Sequence, residues 1–321
     1  MRKIKYIDTT KGYLMISVVL VHVLAVLNPN YDKIYFIVPQ AFIYTFCMPA
    51  FFILHGIVFN MEKWRNEPLK VFVYSKIQTL IIPYCFFELV GIVWRALFFG
   101  QSFGTGLYNL FTIRCNVGAD WFLIAMFLGS LLFWVYVKYT NRLFAILTII
   151  ICLVLPMNMN NNQLLIVFGR GMLAYVFMMC GCIFKSLFLS DKTKSVVWFV
   201  VSLILTATVA FIGLKFGEND FYSCTVHNPL MLWVGGMSGT VLLIGFSRIF
   251  KCKIVTDIIG NHTLTIMGTH QLVIYSMTTV LPTLTGGTII DGILLLLIIF
   301  VFELPVVWFL DQYLGFFTGR R

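Results

Sequence analysis

The chain has 321 residues, of which 60% are hydrophobic and only 11% charged, and its mean hydropathy is +0.92. Soluble domains carry about 25% charged residues, so this composition excludes an ordinary soluble protein and indicates an integral membrane protein. The formal net charge of +10 does not indicate a nucleic-acid partner, because the basic residues fall in short connections between apolar runs. The eight cysteines are scattered without metal-ligand spacing, so no metal site is expected.

Ten apolar segments follow one another along the chain, which predicts an all-α integral membrane protein with about ten transmembrane helices. No polar stretch is long enough for a separate soluble domain, so we expect residues 1–321 to form a single transmembrane unit. The segments are approximately 12–28, 36–59, 77–99, 119–139, 142–157, 164–188, 195–214, 229–250, 263–282 and 288–310.

The basic residues are distributed unevenly between the two sides of this ten-span arrangement. Eighteen of the 23 Lys and Arg residues fall on the side that holds both termini, and five fall on the other. The positive-inside rule therefore predicts that both termini are cytoplasmic. Cys115 and Cys224 would then lie in external loops, either paired as a disulfide or as two unrelated thiols.

The first segment carries an ionisable side chain deep in its apolar run. Lys11 and His22 are eleven residues apart, close to three helical turns, so they share one helix face, and Asp8 lies one turn before Lys11. If the membrane begins near Gly12, His22 lies about 15 Å deep, close to the bilayer midplane. A midplane histidine is either a functional group or a neutral imidazole bonded to a neighbouring helix.

Four further segments carry polar residues within their apolar runs. His270 lies at a depth comparable to that of His22 and either converges with it or serves as a hydrogen-bonding contact between helices. Glu88 and Arg95 lie seven residues apart on one face, and we expect each to find a partner on another helix. Arg170 is either structural or a donor for a polar acceptor, whereas a structural ion pair is the favoured role for Glu303.

A basic cluster precedes the third segment on the side predicted to be cytoplasmic. It contains Lys63, Arg65, Lys70 and Lys76. Such a cluster either binds an anionic lipid or anionic cofactor, or only determines topology.

Five short motifs occur in order over nearly the whole chain. They are Tyr6-Ile-Asp8-x-x-Lys11-Gly12 followed by His22; Met48-Pro-x-Phe-Phe-Ile-x-x-Gly56; Lys76 followed by Pro83-Tyr84; Trp121-Phe-Leu-x-Ala-x-Phe127; and Gly260-Asn-x-Thr-Leu-Thr-Ile before His270. With these motifs the chain resembles the acyltransferase 3 family of membrane O-acyltransferases, nearest its fucose 4-O-acetylase-like branch.

The resemblance assigns roles to individual residues. The family's basic residue and histidine map onto Lys11 and His22 as the catalytic signature, with Asp8 beside them. The family's second basic motif fits Lys76 but has Thr79 where a second basic residue is usual. Because the basic cluster lies on the side predicted to be cytoplasmic, where a CoA donor would be found, the expected donor-binding residues are Lys76 and, to a lesser degree, Lys70.

The acceptor pocket is less closely defined by the resemblance. Its candidate residues are His270, Glu88, Trp121 and Arg170. The family's usual serine before the glycine of the second segment is His55 here, a departure without an explanation at this level.

The implied activity is transfer of an acyl group, usually acetyl from acetyl-CoA, to a hydroxyl of an envelope carbohydrate. Acetyl-CoA would be a substrate, with no permanently bound cofactor, and the partners would be the carbohydrate and the lipid bilayer of the cell membrane. His22 would act either as a general base or as an acyl-imidazole intermediate. The alternative is a carrier for a small polar molecule, because membrane-bound serine racemases of glycopeptide resistance carry a domain of this family.

Overall fold

The computed structural model describes residues 4–139, 141–159 and 161–319. Within those residues the chain is helical and contains no β-strand, only an isolated bridge between Asp220 and Thr225. The prediction of an all-α integral membrane protein is therefore confirmed.

Among the described residues, eight helical stretches are long and apolar enough to cross a membrane. They are α1 (Lys5–Leu27), α2 with α3 (Ile34–Tyr44 and Cys47–Val58), α5 with α6 (Leu69–Lys76 and Ile82–Phe99), α8 (Trp121–Tyr139), α10 (Gln163–Ile183), α12 (Val196–Phe216), α13 (Pro229–Ile249) and α15 (Ile289–Tyr313). Two predicted segments are helices of another kind: α9 (Arg142–Val154) is short, and α14 (Thr263–Val280) is 18 residues long but less apolar. The remaining short helices are α4 (Met61–Asn66), α7 (Phe103–Thr112) and α11 (Lys185–Leu189).

The helix that contains the third predicted segment begins before the apolar run from which the segment is predicted. Helix α5 starts at Leu69, not near residue 77, and continues through a π-helical turn, Ile77–Ile81, into α6. The charges of Lys70 and Lys76 lower the local hydropathy, which is why the apolar run alone begins too late. Lys76 therefore lies inside a membrane-length helix and not in a surface connection.

Local sequence explains where several helices begin. The side chain of Asn141 accepts hydrogen bonds from the backbone N–H groups of Leu143 and Phe144 at the start of α9. Thr288 and Asp291 form a reciprocal capping box at the start of α15. Both devices pair N–H groups that have no partner in the first helical turn.

Helix α1 is central, since it packs against α2, α3, α13, α14 and α15. Two motif glycines allow its first turns to approach a second π-helical turn, Ile254–Ile259. A Cβ atom at Gly12 would collide with the carbonyl of Val255, and one at Gly260 would collide with the carbonyl of Asp8. These contacts fix the position of Asp8 and Lys11 against the segment that leads into α14.

Candidate active site

Two buried imidazoles meet between α1 and α14. The ring centroids of His22 and His270 lie 5.1 Å apart, with an angle of 47° between the ring planes. His270 is fully buried, whereas His22 keeps partial exposure. The structure thus brings together the two histidines that the sequence places at similar depth.

The tautomer of His270 follows from its contacts. Its Nδ1 lies 2.7 Å from the carbonyl oxygen of Ile266, and a carbonyl can only accept a hydrogen bond, so Nδ1 carries the proton. In the neutral ring, Nε2 then holds a lone pair. Nε2 is buried and has no hydrogen-bond partner among the residues that the structure describes. This nitrogen is therefore a proton acceptor that no other described protein group uses.

Gln271 connects His22 to the rest of the site. Its side-chain nitrogen lies 3.2 Å from both ring nitrogens of His22. The same amide packs against Gly118, where a Cβ atom would lie 2.7 Å from the amide oxygen. The sequence shows Gln271 only as one of several polar residues of α14, and its contact with His22 depends on helix packing.

The loop between α7 and α8 is buried at the level of these side chains. Residues 115–117 and 119–120 are buried, so the backbone of this loop requires hydrogen-bond partners from the protein. Glu88 supplies them by accepting from Asn116 N at 2.7 Å, Asn116 Nδ2 at 2.9 Å and Val117 N at 3.0 Å. Arg95 Nε donates to the Asn116 carbonyl at 2.7 Å.

The expectation that Glu88 and Arg95 each find a partner on another helix is therefore wrong, since both bind Asn116 in the loop before α8. Their seven-residue spacing on α6 places them on either side of Asn116. Both carboxylate oxygens of Glu88 are occupied by the loop. Glu88 thus has a supporting position, and the loop it holds carries Gly118 against Gln271.

Lys11 lies at one end of a cavity of about 180 Å³. Its Nζ is 3.4 Å from Asp8 Oδ1. His55 and Thr263 are the other polar residues that line this cavity, and the remaining walls are apolar. A second cavity, between α2, α12 and α13, holds only about 20 Å³ and contains none of the predicted site residues.

His55 explains how Lys76 is buried. Lys76 Nζ lies 3.2 Å from His55 Nε2, and because an ammonium only donates, Nε2 is the acceptor. The ammonium also lies over the rings of Phe59 and Phe72, at 5.7 and 5.4 Å from their centroids. Within the described chain no carboxylate lies in ion-pair range of Lys76. The two predicted donor-binding lysines are thus separated, with Lys76 behind His55 and Lys70 exposed.

Trp121 and Arg170 belong to a separate cluster. The Arg170 guanidinium lies 5.1 Å from the Trp121 ring centroid and 4.7 Å from that of Tyr222, and its Nε donates to the Tyr222 carbonyl at 2.7 Å. Between this cluster and Gly118 lies Asp120, which is fully buried. Neither of its carboxylate oxygens has a hydrogen-bond partner in the described part of the chain.

Two sequence-based expectations for polar residues have definite outcomes. Glu303 accepts a hydrogen bond from the Thr269 hydroxyl and forms no ion pair with any described residue, so the favoured ion-pair role is wrong. Cys115 and Cys224 are free thiols and both are buried. Burial raises the pKa of the Cys224 thiol to about 11, which keeps it protonated. No group of three or more potential metal ligands occurs among the described residues.

The fold and the site define a multi-pass membrane protein with a buried imidazole pair reached along one helix from a cationic cavity. The sequence profile of the acyltransferase 3 family, described as an acyltransferase domain, matches residues 4–311. The chain therefore belongs to this family of membrane acyltransferases. No curated protein and no solved structure matches the chain.

Removing the charge of Lys11 tests its place in this site. We expect Lys11→Ala to lose most of the acyl-transfer activity, because it removes the cation at the cavity and leaves Asp8 without this partner. Lys11→Arg retains the charge and should keep most of the activity. Initial rates of the two purified variants provide the measurement, and equal losses would show that charge is not the property that matters.

Proposed function

We propose that this membrane acyltransferase transfers an acyl group, acetyl in the simplest case, from acyl-CoA to a hydroxyl of an envelope or exported carbohydrate. The observation that carries the proposal is the imidazole pair, with the lone pair of His270 Nε2 unused, on the helical stripe that begins at Lys11. The ordered motifs support a place in the family nearest the fucose 4-O-acetylase-like branch. Because no polar stretch is long enough for a separate soluble domain, we also assign residues 1–321 to one transmembrane unit.

The donor enters the cavity at its Lys11 end, with its phosphates outermost. Acyl-CoA carries several phosphate charges, which the ammonium groups of Lys11 and Lys76 attract. Because the positive-inside rule places this end in the cytoplasm of a cell-membrane protein, it faces the compartment that contains acyl-CoA. Helix α1 rises about 16 Å from Lys11 to His22, so the pantetheine arm extends along it toward the imidazole pair.

The reaction proceeds by general-base catalysis. His22 takes the proton of the acceptor hydroxyl while the hydroxyl oxygen attacks the thioester carbonyl carbon. The new C–O bond forms, the C–S bond breaks, and the proton leaves with CoA as its thiol. The lone pair of His270 Nε2 stabilises the imidazolium on His22. General-base assistance of this kind contributes typically 10²–10⁴-fold to rate.

An acyl-imidazole route is distinguishable from this mechanism. If His22 were acylated first, labelled acetyl-CoA without acceptor would leave label on the protein, and hydroxylamine would release it. General-base catalysis predicts no protein-bound label under those conditions.

The acceptor approaches from the opposite end of the bundle. There the loop held by Glu88 ends at the buried Asp120, and the adjacent cluster contains Trp121, Tyr222 and Arg170. An aromatic face with a nearby carboxyl and guanidinium suits a polyhydroxylated ring. We assign the acceptor side to this cluster together with His270, and Glu88 supports it indirectly.

The test of the proposed function is the O-acetyl content of surface glycans in cells with and without the protein. We expect the esters to disappear on deletion and to return with the wild-type gene but not with His22→Ala. Unchanged ester content, combined with altered uptake of an amino acid or another small polar molecule, would favour the carrier alternative.

Lys76 provides a kinetic test of the donor site. The phosphates do not change during reaction, so Lys76→Met should raise the KM for acyl-CoA more than it lowers kcat. Lys70→Met is the matched control at an exposed position and should have a smaller effect. Rising salt should also raise KM, since charge attraction is screened within about 10 Å at 0.1 M. A fall in kcat at unchanged KM for Lys76→Met would remove this lysine from the donor site.

A further inference from the structure

The two ends of the 180 Å³ cavity differ in chemistry. At one end lie Lys11, His55 and Thr263, the polar residues among the described residues that line it. We call this the Lys11 end. The opposite end is lined by Phe51, Phe122, Leu123, Met126 and Met267, and we call it the Phe122 end.

The directions of the surrounding helices show which residues lie at each end of the cavity. His55 lies in the last turn of α3 and Thr263 in the first turn of α14, whereas Phe51 lies one turn before His55. Helix α8 runs in the same direction as α3, because its last turn contacts the α3–α5 connection through the hydrogen bond from Lys138 Nζ to the Arg65 carbonyl at 3.0 Å. Phe122, at the start of α8, is therefore distant from the Lys11 end.

The Phe122 end is closed by stacked aromatic rings. The Phe122 centroid lies 5.4 Å from that of Phe51 and 4.9 Å from that of Phe52. Phe52 is fully buried and stacks in turn on Phe221 at 5.8 Å. Because Phe122 is supported from behind by other rings, it cannot rotate away without displacing them.

We infer that the Phe122 end binds the acyl chain of the donor and that Phe122 sets the longest chain the protein accepts. This inference rests on the proposed function. The phosphates and the acyl group are opposite ends of an acyl-CoA molecule, so phosphates held at the Lys11 end direct the acyl group to the Phe122 end. There the apolar walls match hydrocarbon and offer no partner to a charged acyl group. The chemistry at the thioester carbonyl is unchanged by chain length.

The closed end makes the wild-type protein selective for short acyl chains. Each added methylene that finds apolar contact should raise the affinity for acyl-CoA about fourfold. A methylene for which the cavity has no space should lower that affinity. Phe122→Ala removes six ring carbons, enough space for several methylenes. We therefore expect the variant to prefer longer chains.

The experiment is equilibrium displacement of radiolabelled acetyl-CoA from the purified protein by butanoyl-, hexanoyl- and octanoyl-CoA. This measurement requires no knowledge of the acceptor. For the wild-type protein, the affinity should decrease as the acyl chain lengthens from butanoyl to octanoyl. In Phe122→Ala the affinity for hexanoyl-CoA relative to acetyl-CoA should rise by at least about tenfold. Phe188→Ala is the matched control, because Phe188 is an equally buried ring that neither lines the cavity nor stacks on Phe122, and its ratio should stay at the wild-type value.

A second variant changes the cavity in the opposite direction. Met126 lies one turn after Phe122 on the same face of α8. Because Met126→Phe narrows the Phe122 end, it should weaken the binding of butanoyl-CoA more than that of acetyl-CoA. If both variants show the wild-type chain-length profile, the inference is wrong although the proposed function stands. If no acyl-CoA displaces acetyl-CoA because none binds the wild-type protein, the proposed function itself fails.

Discussion

Replacing His22 with Ala is expected to reduce acyl transfer by about 10²–10⁴-fold while the protein still folds and inserts into the membrane. The imidazole is the proton acceptor for the hydroxyl in this mechanism, and no other described residue of α1 carries a basic nitrogen at that depth. The methyl group of Ala fits a helix well, so α1 itself should be unaffected.

His227 is the matched control for this variant. It lies exposed in the loop between α12 and α13, so His227→Ala should leave the activity unchanged. Transfer rates, expression and the size-exclusion profile are measured for both variants. Full activity of a correctly folded His22→Ala protein would remove His22 from the mechanism.

Glu88→Ala is expected to abolish activity by a different route, through loss of the buried loop. Three N–H groups of Asn116 and Val117 would lose their acceptor in a water-free environment. Each unpaired buried donor costs about 1–3 kcal/mol, so the variant should be destabilised by several kcal/mol. The loop carries Gly118 against Gln271, so the position of His22 should be disturbed as well.

Two further variants give this prediction its specificity. Glu88→Gln keeps one carbonyl oxygen and should be intermediate in thermal stability, whereas Glu62→Ala, at an exposed position, should be neutral. Thermal unfolding in detergent is measured together with the acceptor KM. If Glu88→Ala had wild-type stability and only a raised acceptor KM, Glu88 would contact the acceptor directly and not support the loop.

The positions of eight membrane-length stretches among the described residues could be read from the sequence, because their apolar runs are long enough to span a bilayer. Similar depths on α1 and α14 were also sufficient to place His22 and His270 at comparable levels. The depth of a side chain in the membrane follows from the sequence of its own helix. Whether two side chains contact each other depends on how their two helices pack. The 5.1 Å approach of the rings required the packing of α1 against α14.

The buried loop before α8 shows what the sequence could not indicate. Residues 113–118 have the sequence of an ordinary external connection. Their burial depends on Glu88 and Arg95, which are more than twenty residues away along the chain from Asn116. The contact of Lys76 with His55 is equally non-local. A single sequence carries no signal for such pairs, although an unusual residue such as His55 marks a position worth inspecting.

The decisive measurement is transfer of labelled acetyl from acetyl-CoA to glycan by purified protein in oriented vesicles, with donor supplied to one face at a time. We predict ester-linked label on the glycan only when donor is on the face of the Lys11 end, and no label with His22→Ala. Label that appears only when donor is on the face bearing Lys33 and Arg114 would contradict the donor site. Label that appears equally with His22→Ala would contradict the catalytic role of His22.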